Sequence, residues 1–255
     1  MKKIILLSLL ITSVLFAKPV KIGVTPIPNP DVLEFIREDL KKEGIEIEII
    51  VFSDYTTPNI ALAEGALDAN AFQHIPFLNT FKKDKNYDLT EVGVTFVSPI
   101  ALFSKKYKTL EAIPAGAEIA IPNDATNGGR ALILLHDKGV IKLKDPTNLL
   151  ATPLDIVENP KNYKITELEA PQLPRVLGDV DAAVINANYA VEAGLSPTDD
   201  NIIIEDANSP YVNVFAVRTP DKDREDIKKI VKAYQTEKVR KFILETFKGA
   251  YVPVF

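Results

Sequence analysis

The chain of 255 residues contains no cysteine, a single methionine and only two histidines. Without cysteine there can be no disulfide, no thiolate nucleophile and no cysteine-based zinc site, and nothing to carry a lipid after an export signal. His74 and His136 leave little for metal or acid–base chemistry. Neither stands in an H-E-x-x-H pattern, and no G-x-S-x-G marks a nucleophile elbow. The acidic residues Asp145, Asp155, Asp179 and Asp181 read as turn and cap residues, not as a catalytic dyad. An enzyme on an α/β scaffold is therefore a remote alternative, and no metal and no cofactor is expected. Nucleotide fingerprints are missing too: there is no G-x-x-x-x-G-K-[ST] and no G-x-G-x-x-G. The formal charge is −5 and no basic run is interleaved with aromatics, so nucleic acid is a poor partner, because its binding is driven by clustered Lys and Arg. No repeat of 20–50 residues and no low-complexity tract breaks the chain.

What is present begins with residues 1–17. Lys2 and Lys3 form a positive start, an apolar run interrupted only by Ser and Thr follows, and Ala17 ends it before Lys18-Pro19. This is the pattern of a secretory signal, too short for the roughly 20 apolar residues that span a bilayer. Leu15 is larger than usual at the third position before the cut. The reading is an exported, periplasmic protein with no lipid anchor, an uncleaved signal anchor being the alternative.

The remainder alternates strands with helices. Val20–Val24 is an opening strand, and Asn29-Pro30 starts a helix whose Val32, Leu33, Ile36 and Leu40 share one stripe before Gly44. Residues 45–52 are a strand, Thr57-Pro58 caps the next helix, Gly65 ends it, and 69–72 is a third strand. This β-α-β-α-β order predicts a largely parallel sheet. Extended segments follow at 90–99 and 100–105, then a strand at 118–121, a helix near 130–138, and strands at 165–168, 182–185 and 202–205. Short helices are expected at 173–177 and 189–193, a strand at 211–218, and helical spacing over 221–248. The pattern divides into two α/β units. Residues 1–17 are the signal, 18–98 with 209–255 make one lobe, and 99–208 make the other, with a cleft between them where ligands sit.

Four stretches could line such a cleft. Residues 68–77, DANAFQHIPF, bring two phenylalanines, Gln73 and His74 to a strand-to-loop boundary, offering apolar contact with polar edges. A strand with a solvated end is the plainer account. Residues 122–130, PNDATNGGR, join a strand to a helix with Thr126 or Asn127 as N-cap and two glycines that let the backbone approach a ligand. Free N–H groups there favour an anion, and Arg130 could clamp a carboxylate through two parallel hydrogen bonds. A capped helix with a solvated arginine is the alternative. Finally, VINANY (184–189) and SPYVN (209–213) place Asn186 and Asn213, and more weakly Asn188, at strand ends. There an amide presents both donor and acceptor to a zwitterion, although each alone is more often a turn residue.

Together and in this order, DANAFQHIPF, IPNDATNGGR, DIVENPKNYKITELEAPQLPR, AAVINANYA and SPYVN closely resemble the methionine-binding periplasmic proteins of bacterial ABC importers, the NlpA-type lipoprotein family. The resemblance runs from about Val20 to the C-terminal helices. It implies a two-lobed periplasmic binding protein of the type II-like class. Each lobe would be a mostly parallel sheet flanked by helices, with L-methionine enclosed between the lobes for delivery to a membrane permease. It further implies that Tyr55, Phe72, His74 and Phe77 surround the thioether, that Arg130 holds the carboxylate, and that Asn186 and Asn213 hold the polar end. Gln73, Asn127 and Asn188 are weaker candidates. Phe77 stands where some relatives have tyrosine, and the lipid-bearing cysteine common in the family is missing. No acidic residue stands out for the ligand ammonium, so amide oxygens and backbone carbonyls are expected to receive it. A sulfur–aromatic contact contributes about 0.3–1.5 kcal/mol, so another apolar amino acid or a short methionine-containing peptide remains an alternative ligand.

Overall fold

The computed structural model describes residues 18–206 and 209–255. The proposed signal at 1–17 lies outside the described residues, as do 207–208, where the expected lobe boundary falls. In chain order the elements begin with β1 (Val20–Val24), α1 (Asn29–Lys42), β2 (Ile47–Val51), α2 (Thr57–Ala63), β3 (Ala69–His74), α3 (Ile75–Lys85) and β4 (Leu89–Val97). After β5 (Ile100–Phe103) come β6 (Glu118–Pro122), α4 (Ala125–Asp137), β7 (Lys142–Leu143), β8 (Ile156–Glu158), β9 (Lys164–Leu168), α5 (Leu173–Val176), β10 (Ala182–Asn186), α6 (Ala187–Glu192) and β11 (Ile203–Ile204). The chain ends with β12 (Val212–Arg218), α7 (Glu225–Tyr234), α8 (Glu237–Phe247) and β13 (Val252–Pro253).

Two sheets carry the fold. The first has strand order β13-β4-β12-β3-β1-β2 and the second β11-β5-β10-β6-β9. Within the first, β1 pairs in parallel with β2 and β3, while β12 runs antiparallel between β3 and β4. In the second, β10, β6 and β9 are parallel and β5 is antiparallel to both β10 and β11. The chain passes between the sheets from β4 to β5 and returns from β11 to β12. The protein is thus an α/β, type II-like binding fold, with both sheets flanked by helices.

Apolar periodicity explains most elements. Val32, Leu33, Ile36 and Leu40 of α1 are buried, Pro30 sits in its first turn, and Gly44 beyond its end has φ +76°, a backbone state that side chains disfavour. Several local expectations are corrected. The run 68–77 is not a strand ending in a loop but a strand ending in a helix. The His74 ring accepts a hydrogen bond from the Phe77 backbone N–H at 3.0 Å and so caps α3, a role ordinarily sought in Ser, Thr, Asp or Asn. Helix α2 is capped not by Thr57 but by Asp54, whose carboxylate accepts from the N–H groups of Thr56 and Thr57 at 2.7 Å. Asp124, not Thr126 or Asn127, caps α4, accepting from the Asn127 N–H at 2.9 Å. The segment 221–248 is two helices, with Thr236 capping the second. The small strands β7, β8 and β13 carry too few residues for a periodic signal.

The glycines of PNDATNGGR serve packing inside the protein. A Cβ on Gly128 would lie 2.8 Å from the Pro122 carbonyl oxygen, and one on Gly129 would overlap the Leu149 carbonyl. These neighbours are backbone and have no rotamer by which to move aside, so α4 needs glycine at both positions to seat against 122 and 149. Replacing Gly129 with alanine is expected to destabilise the fold by about 1–3 kcal/mol, the usual cost of overpacking, measured as a lowered urea midpoint at unchanged slope.

Candidate functional site

The carboxyl ends of β1, β3, β6 and β10 converge on one cleft between the sheets, the position favoured for ligands in open α/β folds. It holds about 460 Å3 of space not filled by protein atoms, part of it continuous with solvent. Tyr55, Phe72, His74, Phe77, Arg130, Asn186 and Asn213 all line it, and so do Gln73, Asn127 and Asn188. The structure thus gathers the ten sequence-selected side chains, drawn from positions 55 to 213, around one space.

Three rings form the apolar end. The centroid separations are 6.0 Å for Tyr55–Phe72, 6.0 Å for Tyr55–Phe77 and 6.2 Å for Phe72–Phe77. Strand alternation sends Phe72 and His74 to one face of β3. The Gln73 amide, by contrast, is fully engaged within the protein. It donates to the side-chain oxygens of Asn59 (2.7 Å) and Asn70 (2.9 Å), and it accepts from Asn59 at 2.7 Å. The Gln73 amide is therefore committed to holding β3 in place and has no donor left for a ligand.

The polar end is a chain of amides joining the two sheets. His74 Nδ1 accepts from the Phe77 N–H, so the ring proton resides on Nε2, which donates to Asn127 Oδ1 at 3.3 Å. Asn186 Nδ2 donates to the same oxygen at 2.7 Å, while Asn127 Nδ2 donates to both Asp124 carboxylate oxygens at 3.0–3.1 Å. The Tyr55 hydroxyl donates to Asn188 Oδ1 at 2.6 Å. Desolvation raises the Tyr55 phenol well above its ordinary value, so it stays a donor. Among the described residues, Asn186 Oδ1 and Asn188 Nδ2 are buried without a hydrogen-bond partner, an arrangement rare for buried polar atoms. These atoms offer a ligand one acceptor and one donor. Asn213 stands opposite His74 in the β12–β3 ladder.

Arg130 is only 2% exposed. Its guanidinium does not present a free fork to the cleft. Nε donates to Glu205 Oε1 at 3.0 Å, and Nη2 donates to Glu205 Oε2 and, at 2.8 Å, to the Ser98 carbonyl. The Tyr211 ring lies beneath, 4.3 Å from Cζ. Nη1 alone is without a protein partner among the described residues. The two-bonded clamp expected from sequence is already used on Glu205, and a ligand carboxylate would meet the remaining nitrogen. Glu205, Ser98 and Tyr211 were not singled out by sequence reasoning. Tyr211 lay inside the quoted SPYVN motif, whereas Glu205 gave no signal, being 75 residues from its partner.

The family described as NlpA lipoprotein matches residues 20–255. The D-methionine-binding lipoprotein MetQ of Escherichia coli strain K12 is 50% identical over 236 residues, covering 91% of this chain and 87% of that protein. A nutrient-binding protein from Burkholderia cenocepacia, solved bound to methionine, superposes with a TM-score of 0.90 at 50% identity, covering 92% of this chain and 100% of that one. The crystal structure of the methionine-binding protein MetQ gives a TM-score of 0.89 at 48% identity over 92% of this chain and 98% of its own.

Burial, reinforced by the nearby Arg130 charge, pushes the His74 pKa down to about 3. The unfolded chain, with an ordinary histidine near 6.5, takes up the proton first. His74 therefore stabilises the fold fully above about pH 6.5, and that contribution is lost as pH falls toward 3. Urea unfolding across this range should show the wild type losing on the order of 1.4 kcal/mol per pH unit relative to a His74→Gln variant. A constant difference between the two proteins would contradict a neutral, buried His74.

Proposed function

The chain belongs to the NlpA lipoprotein family over residues 20–255, and on that premise we propose that it captures methionine outside the cytoplasm and delivers it to the permease of an ABC importer. The observation that carries this reading is the pairing within one cleft of Arg130, whose Nη1 has no partner among the described residues, with three aromatic rings. The first suits a carboxylate and the second a thioether. In the same cleft, Asn186 Oδ1 is a buried acceptor without a donor among the described residues, suited to the ammonium. In this reading Tyr55, Phe72, His74 and Phe77 contact the side chain, and Arg130, Asn186 and Asn213 contact the amino-acid head. Asn127 and Asn188 act through the bonds that link the lobes, and Gln73 acts by holding β3.

Delivery rests on closure. We take 18–98 with 209–255 and 99–208 as lobes that swing together, since a ligand touching both favours the closed state over the open one. The proposed location is the periplasm, with the permease as docking partner. Among the described residues no helix is long and apolar enough to cross a membrane.

The relative named above is called a D-methionine-binding lipoprotein, so the enantiomer is part of the question. The test is calorimetric titration of protein stripped of ligand by unfolding and refolding, with L-methionine, D-methionine, leucine and a glycyl-methionine dipeptide. Micromolar or tighter binding of a methionine enantiomer, without turnover, is expected. A clear preference for leucine or the dipeptide would replace the ligand assignment. In the same assay Arg130→Ala should lose amino-acid binding by at least about a hundredfold, the cost of leaving a charge unpaired in a closed cleft. Tyr55→Ala should weaken methionine more than it weakens alanine.

A further inference from the structure

Among the residues lining the cleft, Arg130 is the one with a permanent charge, and its Nε and Nη2 are held by Glu205. The Glu205 carboxylate is itself held, accepting from the Ser209 hydroxyl at 3.1 Å and from the Ile100 N–H at 3.4 Å. An arginine needed only to grip a carboxylate would be expected to keep its charge for the ligand. Here a carboxylate of the protein's own sits on it. We propose that Glu205 is a specificity-determining residue that cancels the Arg130 charge, so that the cleft accepts zwitterions and turns away anions that share the same side chain. This rests on the proposed amino-acid ligand and adds to it a reason why the ligand amine is required.

The physical argument concerns which ligand charges gain from Glu205. A zwitterion places one negative and one positive group in the site, so repulsion of its carboxylate by Glu205 is offset by attraction of its ammonium. An anion lacking the amine keeps the repulsion and has nothing to offset it. At the low effective dielectric of a closed cleft, one such uncompensated charge within several ångströms changes affinity by about tenfold or more. The second nearby carboxylate, Asp124, holds the cleft residue Asn127 and acts in the same direction. Without Glu205, Arg130 would present a full positive charge and the ranking would shift toward anions.

Titration of ligand-stripped wild type, Glu205→Gln and Glu205→Asp with methionine and with 4-(methylthio)butanoate, its analogue without the amine, tests this. Wild type should reject the anion. In Glu205→Gln the anion should bind about tenfold tighter relative to methionine, and Glu205→Asp, which keeps the charge on a shorter stem, should retain the wild-type ranking. An unchanged ratio in folded Glu205→Gln overturns the proposal, as does loss of discrimination in Glu205→Asp. If Glu205→Gln does not fold, Glu205→Ala, which also removes the charge, is read by the same criterion. Failure of wild type to bind methionine would fall on the ligand assignment instead, because both outcomes that overturn this proposal are ratios read in protein that binds methionine.

Discussion

A guanidinium with 2% of its surface exposed is the constraint that orders this molecule. Leaving such a charge without partners costs several kcal/mol, so the protein surrounds Arg130 with the Glu205 carboxylate, the Ser98 carbonyl and the Tyr211 ring. Those partners are not scattered. Ser98 lies on the passage from β4 to β5, and Glu205 and Tyr211 lie on the return from β11 to β12. One side chain on α4 is thus bonded to both segments that connect the sheets. Whatever contacts Arg130 from the cleft acts on a group already tied to the two places where the lobes are joined. The cap on α4 belongs to the same design, since Asp124 fixes both the helix start and the orientation of Asn127.

The apolar end follows a different logic. Tyr55, Phe72 and Phe77 are in mutual contact, with Phe77 edge-on to the other two, an arrangement that keeps the three from forming a single stack. The backbone that carries two of them is stiffened from behind by the buried amides of Asn59, Asn70 and Gln73, which satisfy one another through mutual hydrogen bonds. Buried amides are costly unless fully paired, and fully paired networks rigidify what they touch. Gln73, chosen from sequence as a weak ligand contact, contributes here by support.

Much of this was legible in the residues, and the boundary is instructive. Strand β1 and helix α1 followed from apolar spacing, and the cleft-lining side chains from composition within short stretches together with family resemblance. What escaped depended on contacts across the chain or on unusual chemistry. A histidine ring capping α3 has no propensity signature, so the helix after His74 went unseen. Gly128 and Gly129 looked like room for a ligand, but the neighbour they admit is the protein's own backbone at 122 and 149. Glu205 is an ordinary acidic residue in sequence, and only the fold brings it against Arg130.

The links between the sheets also bear on how a ligand could drive closure. Tyr55 bonds Asn188, His74 bonds Asn127, and the Tyr189 hydroxyl donates to the Ser53 carbonyl at 3.1 Å. A net hydrogen bond contributes only about 0.5–1.5 kcal/mol, since each replaces one to water. Three of them can hold the cleft shut weakly, not lock it. Against them stand the buried orphans Asn186 Oδ1 and Asn188 Nδ2, which water would satisfy in an open cleft and which lose that water when it closes empty. The empty closed form is therefore penalised at the atoms a zwitterion would pair. A ligand that removes this penalty tilts the balance by its differential affinity for the closed form, which is the only quantity by which binding can shift a conformational equilibrium. These amides, left without a partner by the protein's own groups among the described residues, are what would make closure depend on the ligand.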